Sequence, residues 1–381
     1  MMRAFAKGEP RLARPLLAMA VAVAVLATAA VADGEWTVVD LNPSGSSYSI
    51  ATASCGGVQA GFAYLGSVPH AGLWAGSGGS WLDLTPAGAT QSGALGVYGG
   101  EQVGYAYVGG IARASLWSGT AASWADLNPA GAGHSEARGV DGSSQVGLAN
   151  IGGVWHAGLW YGTATSWVDL HPAGTTQSFA YGVCESQQVG LATVDGVDHA
   201  ALWTGSAESW VDLNPAGVTA GSQANGVYDG QQVGSASVGG APHASLWAGS
   251  AASWVDLNPA GALYSWASAV YDGQQVGAVM GDGISTHASL WAGSAASWVD
   301  LHAFLPPQFS YSEARGVWND GTFTYVVGNG FNNSAGHNEA LLWIGPVPEP
   351  ASGFMFAMVI PGTVLLRRRG RRTARLGGDA R

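Results

Sequence analysis

The sequence predicts an all-β fold: a seven-bladed β-propeller of four-stranded blades, closed by an N-terminal strand that completes the last blade. Three observations predict it. The phrase Ser253-Trp254-Val255-Asp256-Leu257-Asn258-Pro259-Ala260-Gly261 has near-copies starting at Trp81, Trp124, Trp167, Trp210 and Trp298, and a looser copy from Trp36 to Pro43. Successive Trp from Trp81 onward lie 43, 43, 43, 44 and 44 residues apart, a period that marks a repeat array rather than independent domains. Each unit carries four short strand-like pieces between Gly, Asn, Asp or Pro turns, the content of one propeller blade.

The fourth unit shows the pieces in order. Phe179 to Val183 forms the first, Gln188 to Val194 the second, His199 to Trp203 the third and Trp210 to Leu213 the fourth. In the second piece Val189 and Leu191 occupy one face, Gly190 and Ala192 the other. A strand that is small or apolar on both faces must be covered on both, as when blades stack. The gap between blades widens with distance from the axis, so Ala and Gly belong on inner strands and the two Trp of each unit on outer ones. Each buried Trp contributes about 2–3 kcal/mol of transfer free energy. A β-solenoid is the alternative, but its shorter coils do not need four strands per period.

Closure follows from counting. Seven Leu-Trp pairs end at Trp74, Trp117, Trp160, Trp203, Trp247, Trp291 and Trp343, and the first Trp-Asp-Leu phrase, around Trp36, precedes all of them. The last unit stops at Trp343-Ile344-Gly345 without a phrase of its own. The segment from Trp36 to Leu41 therefore supplies the outer strand of the seventh blade, which removes free sheet edges at the seam.

Composition narrows the function. From Asp33 to Pro346 the basic residues are Arg113, Arg138 and Arg315 against 22 acids, a net charge of −19. Such a surface repels phosphate backbones, which excludes nucleic acid as a partner and leaves cations, neutral glycans or other proteins.

The ends carry address signals. Residues 1–32 read as an export signal: Arg3, Lys7, Arg11 and Arg14 precede an apolar run from Pro15 to Val31, and Ala30-Val31-Ala32 offers small residues for cleavage before Asp33. A retained membrane anchor is the alternative. Residues 33–346 are the propeller, and 347–381 a tail. The tail has Val347-Pro348-Glu349-Pro350, then an apolar stretch over 351–366, then Arg367, Arg368, Arg369, Arg371 and Arg372. The stretch of sixteen residues approaches the length of a membrane span, and the Arg cluster favours the cytoplasmic side. These three parts in order resemble the PEP-CTERM sorting signal. That resemblance implies Pro348, Glu349 and Pro350 as the motif read by an exosortase-type sorting enzyme, with membrane contact before processing. Pro361 interrupts the stretch, and the tail past the Arg cluster is long for that family. A plain membrane anchor is the alternative.

The unit itself resembles a second family. His70-Ala71-Gly72-Leu73-Trp74 and its copies at His156, His199, His243 and His287, with Gln-Val-Gly before and Asp-Leu after, resemble the HAF extracellular repeat. The third position holds Gly, Ala or Ser where that family has Phe. The likeness covers nearly all of Trp36 to Trp343 and implies an extracellular repeat protein without assigned chemistry.

Chemistry has few candidates. Five His at equivalent positions sit too far apart round a ring to share an ion, so each is expected to hydrogen-bond a turn or stack on its blade's Trp. Asp40, Asp83, Asp126, Asp169, Asp212, Asp256 and Asp300 read as turn residues, with a weak calcium role as the alternative. No cofactor or metal is called for. No nucleophile elbow, His-Glu-x-x-His, paired Cys motif or phosphate loop is present, so the expectation is a chain that is not an enzyme. Converging buried carboxylates at one channel mouth would instead favour a hydrolase or lyase. The seventh unit breaks the repeat, and its extra length holds Phe304, Phe309 and Tyr311, followed by Trp318, Asn329, Phe331 and Asn332. Aromatics beside Asn suit a sugar, and these seven are the candidate ligand-binding residues; the alternative is that they seal the closing blade. Cys55 and Cys184 occupy equivalent sites three blades apart, beyond disulfide reach unless they hug the axis. The expectation is an exported, surface-associated, non-catalytic interaction or matrix protein, with extracellular polysaccharide or a matrix protein as partner.

Overall fold

In the computed structural model, residues 36–281 and 283–347 are described. The export signal over 1–32, the Pro348-Glu349-Pro350 motif, the stretch over 351–366 and the Arg cluster all lie outside the described residues. Among those described, no helix is long and apolar enough to cross a membrane.

Seven four-stranded antiparallel sheets form the blades of a propeller. Their inner strands are Ser46–Cys55, Ser92–Tyr98, Ala132–Asp141, Ser178–Cys184, Ser222–Tyr228, Tyr264–Tyr271 and Phe309–Asn319, numbered here as blades 1 to 7. In blade 4 the remaining strands are Gln187–Val194, Val197–Trp203 and the two-residue outer strand Val211–Asp212. Blade 7 takes its outer strand from the other end of the described chain: Thr37–Asp40 pairs antiparallel with His337–Pro346, placing Val38 opposite Trp343. The seven-blade closure expected from the sequence is the one observed.

A single irregularity, repeated seven times, shapes the axis. Each inner strand slips one residue against its neighbour, between Ala51 and Ala53 in blade 1, Ala137 and Gly139 in blade 3, and Ala314 and Gly316 in blade 7, with equivalents in the others. Such bulges re-aim the extra residue. Opposite each bulge the second strand has a glycine, and a Cβ on Gly61 or Gly190 would run into the carbonyl of Ile50 or Phe179. The glycine that ends the Gln-Val-Gly phrase is therefore a requirement of the bulge. The residue after the bulge is also small, because inner strands touch there: a Cβ on Gly139 would lie 3.0 Å from the Tyr181 carbonyl, and one on Gly316 2.9 Å from Ala53 Cα across the seam.

The outer radius is filled by Trp, as the widening gap demands. The third-strand Trp74, Trp117, Trp160, Trp203, Trp247, Trp291 and Trp343 are at most 1% exposed. The second Trp of each unit lies over the third strand, which explains the small residue where Phe stands in the resembled pattern. Cβ atoms on Gly72 or Gly158 would collide with the rings of Trp81 or Trp167, whereas blade 7 has Leu341 at this place and its Trp36 covers Gly345 instead. Where Ser stands instead, it accepts the indole N–H, as Ser115 does from Trp124 at 2.9 Å.

Two polar clasps recur, the first in all seven blades and the second in blades 1 to 6. A buried Ser at the start of an inner strand accepts the backbone N–H of an Ala on the preceding blade, as in Ala114 N to Ser135 Oγ at 2.9 Å. The same bond spans the seam, Ala340 N to Ser49 Oγ at 2.9 Å. The second clasp bears out one half of the expectation for the repeat His, whose partner is the Asp of the turn and not a Trp. In blades 1, 3, 4, 5 and 6 its Nδ1 meets Oδ2 of the repeat Asp at 2.8–2.9 Å, as in His70–Asp83 and His287–Asp300. Arg113 takes the same place against Asp126 at 2.7 Å. The other carboxylate oxygen accepts the N–H two residues on, as Asp126 does from Asn128 at 2.8 Å, so the Asp is a turn residue as expected.

Candidate functional site

The bulges aim one side chain per blade into the central channel: Thr52, Leu95, Arg138, Tyr181, Asn225, Ser268 and Arg315. With Gln223 and Trp266 they line one cavity of about 410 Å³. Two of the three arginines of the ring are therefore in the channel, on blades 3 and 7. Each is held by the Glu two residues earlier on its own strand, Arg138 to Glu136 at 2.8 Å and Arg315 to Glu313. Arg315 Nε also donates to Asn329 Oδ1 at 2.9 Å. The Arg138 guanidinium carbon stands 5.5 Å from the ring centre of Tyr181, a cation–π arrangement. Burial pushes the Tyr181 hydroxyl up to about 12, with the Arg138 charge pulling the other way.

On the face where inner strands begin, the channel opens into a belt of aromatic rings. Tyr105, Tyr107, His134, Trp155, Phe179 and Tyr181 follow one another at centroid distances of 5.7–6.3 Å across blades 2 to 4. Tyr48, Phe62 and Tyr64 form a second group on blade 1, and Tyr264 stacks on Trp266 in blade 6. Burial, then the charge of Glu136, pushes Tyr105 up to about 12. Tyr311 is raised by burial and by its hydrogen bond to Glu313. This mouth thus offers flat apolar faces with neutral hydroxyls, beside two guanidinium–carboxylate pairs and the amides of Gln223 and Asn225.

The opposite mouth, where inner strands end, has a different chemistry. A cavity of about 420 Å³ is lined there by Cys55, Tyr98, Asp141, Cys184, Tyr228, Tyr271 and Trp318, the equivalent residue of each blade, and by the turn acids Glu185, Asp229 and Asp272. Both cysteines are free, and burial raises both thiols. The described chain leaves on this face: Thr37 pairs with Ile344, and Val347 N bonds Thr322 O at 3.4 Å. The aromatic mouth is on the opposite face from Thr37 and Val347, near the two limits of the described residues.

The seventh-blade residues expected to bind ligand do not form one site. Phe304 is on the outer rim, its ring 6.4 Å from Trp36. Phe309 is buried between blades with Trp343 and Val276. Trp318 lines the acidic mouth. Asn332 holds a turn, donating to Glu339 at 2.9 Å and accepting from Ser334 N. Tyr311, Asn329 and Phe331 do meet near Arg315, since Tyr311 pairs with Phe331 in the strand register and Asn329 bonds Arg315. The bulge residues themselves were not singled out from the sequence. Their signal is a variable residue inside a fixed frame, Ala-x-Gly or Ala-x-Ala, in all seven units.

No protein-family model and no curated protein matches the sequence. Solved structures do match the ring. A puromycin hydrolase aligns with a TM-score of 0.54 at 11% identity, over 76% of this chain and 53% of its own. A prolyl endopeptidase aligns at 0.52 and 9%, over 80% and 51%. The β-propeller domain of the Trilobed protease from Pyrococcus furiosus, described as having an open velcro topology, aligns at 0.52 and 9%, over 81% of this chain and 98% of that domain. The chain spans about half the length of the two whole peptidases. At these identities the likeness establishes the fold alone. It nevertheless corrects the expectation that the chain is not an enzyme: rings of this form occur within peptidases, so the missing motifs on which that expectation leaned do not set hydrolysis aside.

Proposed function

We propose that this chain is exported to the cell envelope or beyond, sorted through its PEP-CTERM-like tail, and binds an extracellular polysaccharide at the aromatic mouth of its channel. The observation that carries the binding reading is the run of rings from Tyr105 to Tyr181 converging on Arg138 and Glu136. Aromatic faces stack on the apolar faces of sugar rings, while amides and guanidinium–carboxylate pairs satisfy hydroxyls that would otherwise be buried unpaired. The HAF-like units and the two terminal signals support the extracellular address.

Hydrolysis of a bound chain is the second reading, favoured by a specific observation. Glu136 and Glu313, half-buried on blades 3 and 7, are carboxylates on one channel mouth, and the named structural neighbours include a puromycin hydrolase and prolyl endopeptidases. Calorimetric titration of the chain with a panel of acidic and neutral polysaccharides tests the first reading, with Trp155→Ala and Tyr181→Ala weakening binding by about tenfold each. Incubation of the same polymers and of peptides, assayed for new reducing ends or new amines, tests the second, with Glu136→Gln and Glu313→Gln abolishing turnover. Absence of binding across the panel overturns the first; turnover unaffected by both substitutions overturns the second.

A further inference from the structure

We propose that the polymer bound in the channel is acidic, and that a carboxylate or sulfate ester on one of its sugars is held by Arg138 and Arg315. This rests on the polysaccharide reading given above and adds to it the charge of the polymer. Between Asp33 and Pro346 the chain carries a net charge of −19. Yet the charged side chains lining the channel cavity of about 410 Å³ are Arg138 and Arg315, and no carboxylate is among its described lining residues. A strongly acidic body thus keeps one pocket whose lining charges are positive.

Both arginines are paired, but neither is used up. A guanidinium offers five N–H donors in a planar fork. Arg138 gives Nη2 to Glu136, and Arg315 gives Nη2 to Glu313 and Nε to Asn329. Among the described residues, Nη1 of each and Nε of Arg138 have no partner. The two Glu stand two residues earlier on their strands, toward the aromatic mouth, so they hold each guanidinium from that side. The arginine side chains remain 40% and 37% exposed, and what they expose lines the cavity. Anchoring of this kind fixes a long side chain before a ligand arrives, which lowers the entropy lost on binding. Carboxylates and sulfate esters accept from such a fork through two oxygens at once, and charge-assisted bonds of this type are the strong ones.

The neighbouring groups add donors rather than acceptors. On blades 4 to 6, between the two arginines, the lining residues are Tyr181, Gln223, Asn225, Trp266 and Ser268. Among the described residues, the Gln223 amide, the Ser268 hydroxyl, the Trp266 indole N–H and the Tyr181 hydroxyl make no hydrogen bond. Burial pushes Tyr181 up to about 12, so its hydroxyl keeps the proton it can donate. The arc from blade 3 to blade 7 therefore runs from cation through ring, amides, ring and hydroxyl to cation. The rest of the circle is different: Leu95 is apolar, and the Thr52 hydroxyl is shared between the Ala60 and Ala94 carbonyls at 3.0 Å. A neutral sugar hydroxyl brings a donor for every oxygen it offers. An anionic group brings acceptors alone, which is what a surplus of N–H groups needs.

Calorimetric titration of the full chain at constant ionic strength tests this with two matched pairs of probes. One pair is an oligogalacturonate and the same oligomer methyl-esterified; the other is a dextran oligomer with and without sulfate esters. At least one acidic probe should bind about tenfold or more tightly than its uncharged counterpart. Preference for the galacturonate alone assigns a uronic acid, for the sulfated dextran alone a sulfate ester, and for both an anion read by charge. Two double variants then remove one pair each without changing net charge: Glu136→Gln with Arg138→Asn, and Glu313→Gln with Arg315→Asn. Blade 5 already carries Asn225 at the arginine position, so the ring accepts the change. Each double variant should cut the acid-over-neutral ratio severalfold, whereas Arg113→His, on the outer clasp and matching the residue of other blades, should keep it. Uncharged probes binding as tightly as their acidic partners, a ratio unmoved by both double variants, or one lowered equally by Arg113→His overturns this inference and leaves the polysaccharide reading standing. Failure of all four probes to bind overturns both.

Discussion

Leu41→Ala tests how firmly the N-terminal strand locks the ring. Leu41 is fully buried at the seam among Ala51, Trp74, Val327, Ala340 and Leu342, and its N–H donates to Ala340 O at 2.9 Å. Leu127 has the same place inside the array: also fully buried, its N–H bonds Ala114 O at 2.8 Å. The two sites differ in one respect. Leu127 is held beside its blade by a continuous chain, whereas Leu41 reaches blade 7 from the far end of the described sequence. Truncating a fully buried Leu costs about 2.7–5 kcal/mol in a core that cannot collapse. A loss of about 3 kcal/mol, more than a hundredfold in the folding constant, is therefore expected for Leu41→Ala and for Leu127→Ala alike. Urea unfolding followed by Trp fluorescence measures both. If Leu127→Ala costs about 3 kcal/mol and Leu41→Ala less than about 1, the strand is a loose flap and the ring is not closed by it.

Three further outcomes are expected. Thiol titration of the denatured, unreduced monomer should find two reactive groups, Cys55 and Cys184, both slower to react in the native ring because burial raises them; no reactive group in a monomer would refute the blade assignment. His171 and His302 are lowered from the ordinary 6.5 by burial first and then by the neighbouring His156 and His287. Between the lowered values and 6.5 the folded chain holds fewer protons than the unfolded one, so this contribution is present above 6.5 and lost as pH falls below it. Replacing both by Asn, which stands at the same place as Asn128 and Asn258, should flatten the acid side of a stability–pH curve, and an unchanged slope would refute the assignment. Finally, Pro348→Ala with Pro350→Ala should block tail processing while leaving export intact; mass spectrometry of a wild-type chain still carrying Arg367 to Arg372 would favour a plain membrane anchor.

The period of the sequence makes the ring legible because each blade solves the same packing problem at the same place. Trp74 and its equivalents are large since the gap between blades is wide there, and Gly61 and its equivalents lack a side chain since a carbonyl stands in the way. Even the seam was countable, because the phrase at Trp36 had no third strand before it. The His–Asp clasp was harder: the two residues are always 13 apart, but nothing in strand alternation says that third and outer strands bring those side chains together. The candidate site was harder still. Blade 7 stands out in the sequence because it is irregular, yet its extra residues are divided between rim, core and both mouths.

Irregular length and functional variation are different signals, and in this fold they separate. Extra residues in a closing blade answer to the seam, where Phe309 fills the contact with blade 6 and Asn332 holds a turn. The bulge position has no such duty. Its side chain lines the channel, where Thr52 and Asn225 also bond a carbonyl of the next blade, and the seven blades carry Thr, Leu, Arg, Tyr, Asn, Ser and Arg there, while the Ala before it and the Gly or Ala after it are fixed by neighbouring backbone. A position that varies freely between two that cannot is where a repeat can acquire a binding specificity without loss of its fold. The chain has placed two of its ring's three cations there, on blades 3 and 7, in a body with 22 acids. The partners of Arg138 and Arg315 lie in the same channel, and the ligand proposed for it is what would make use of that placement.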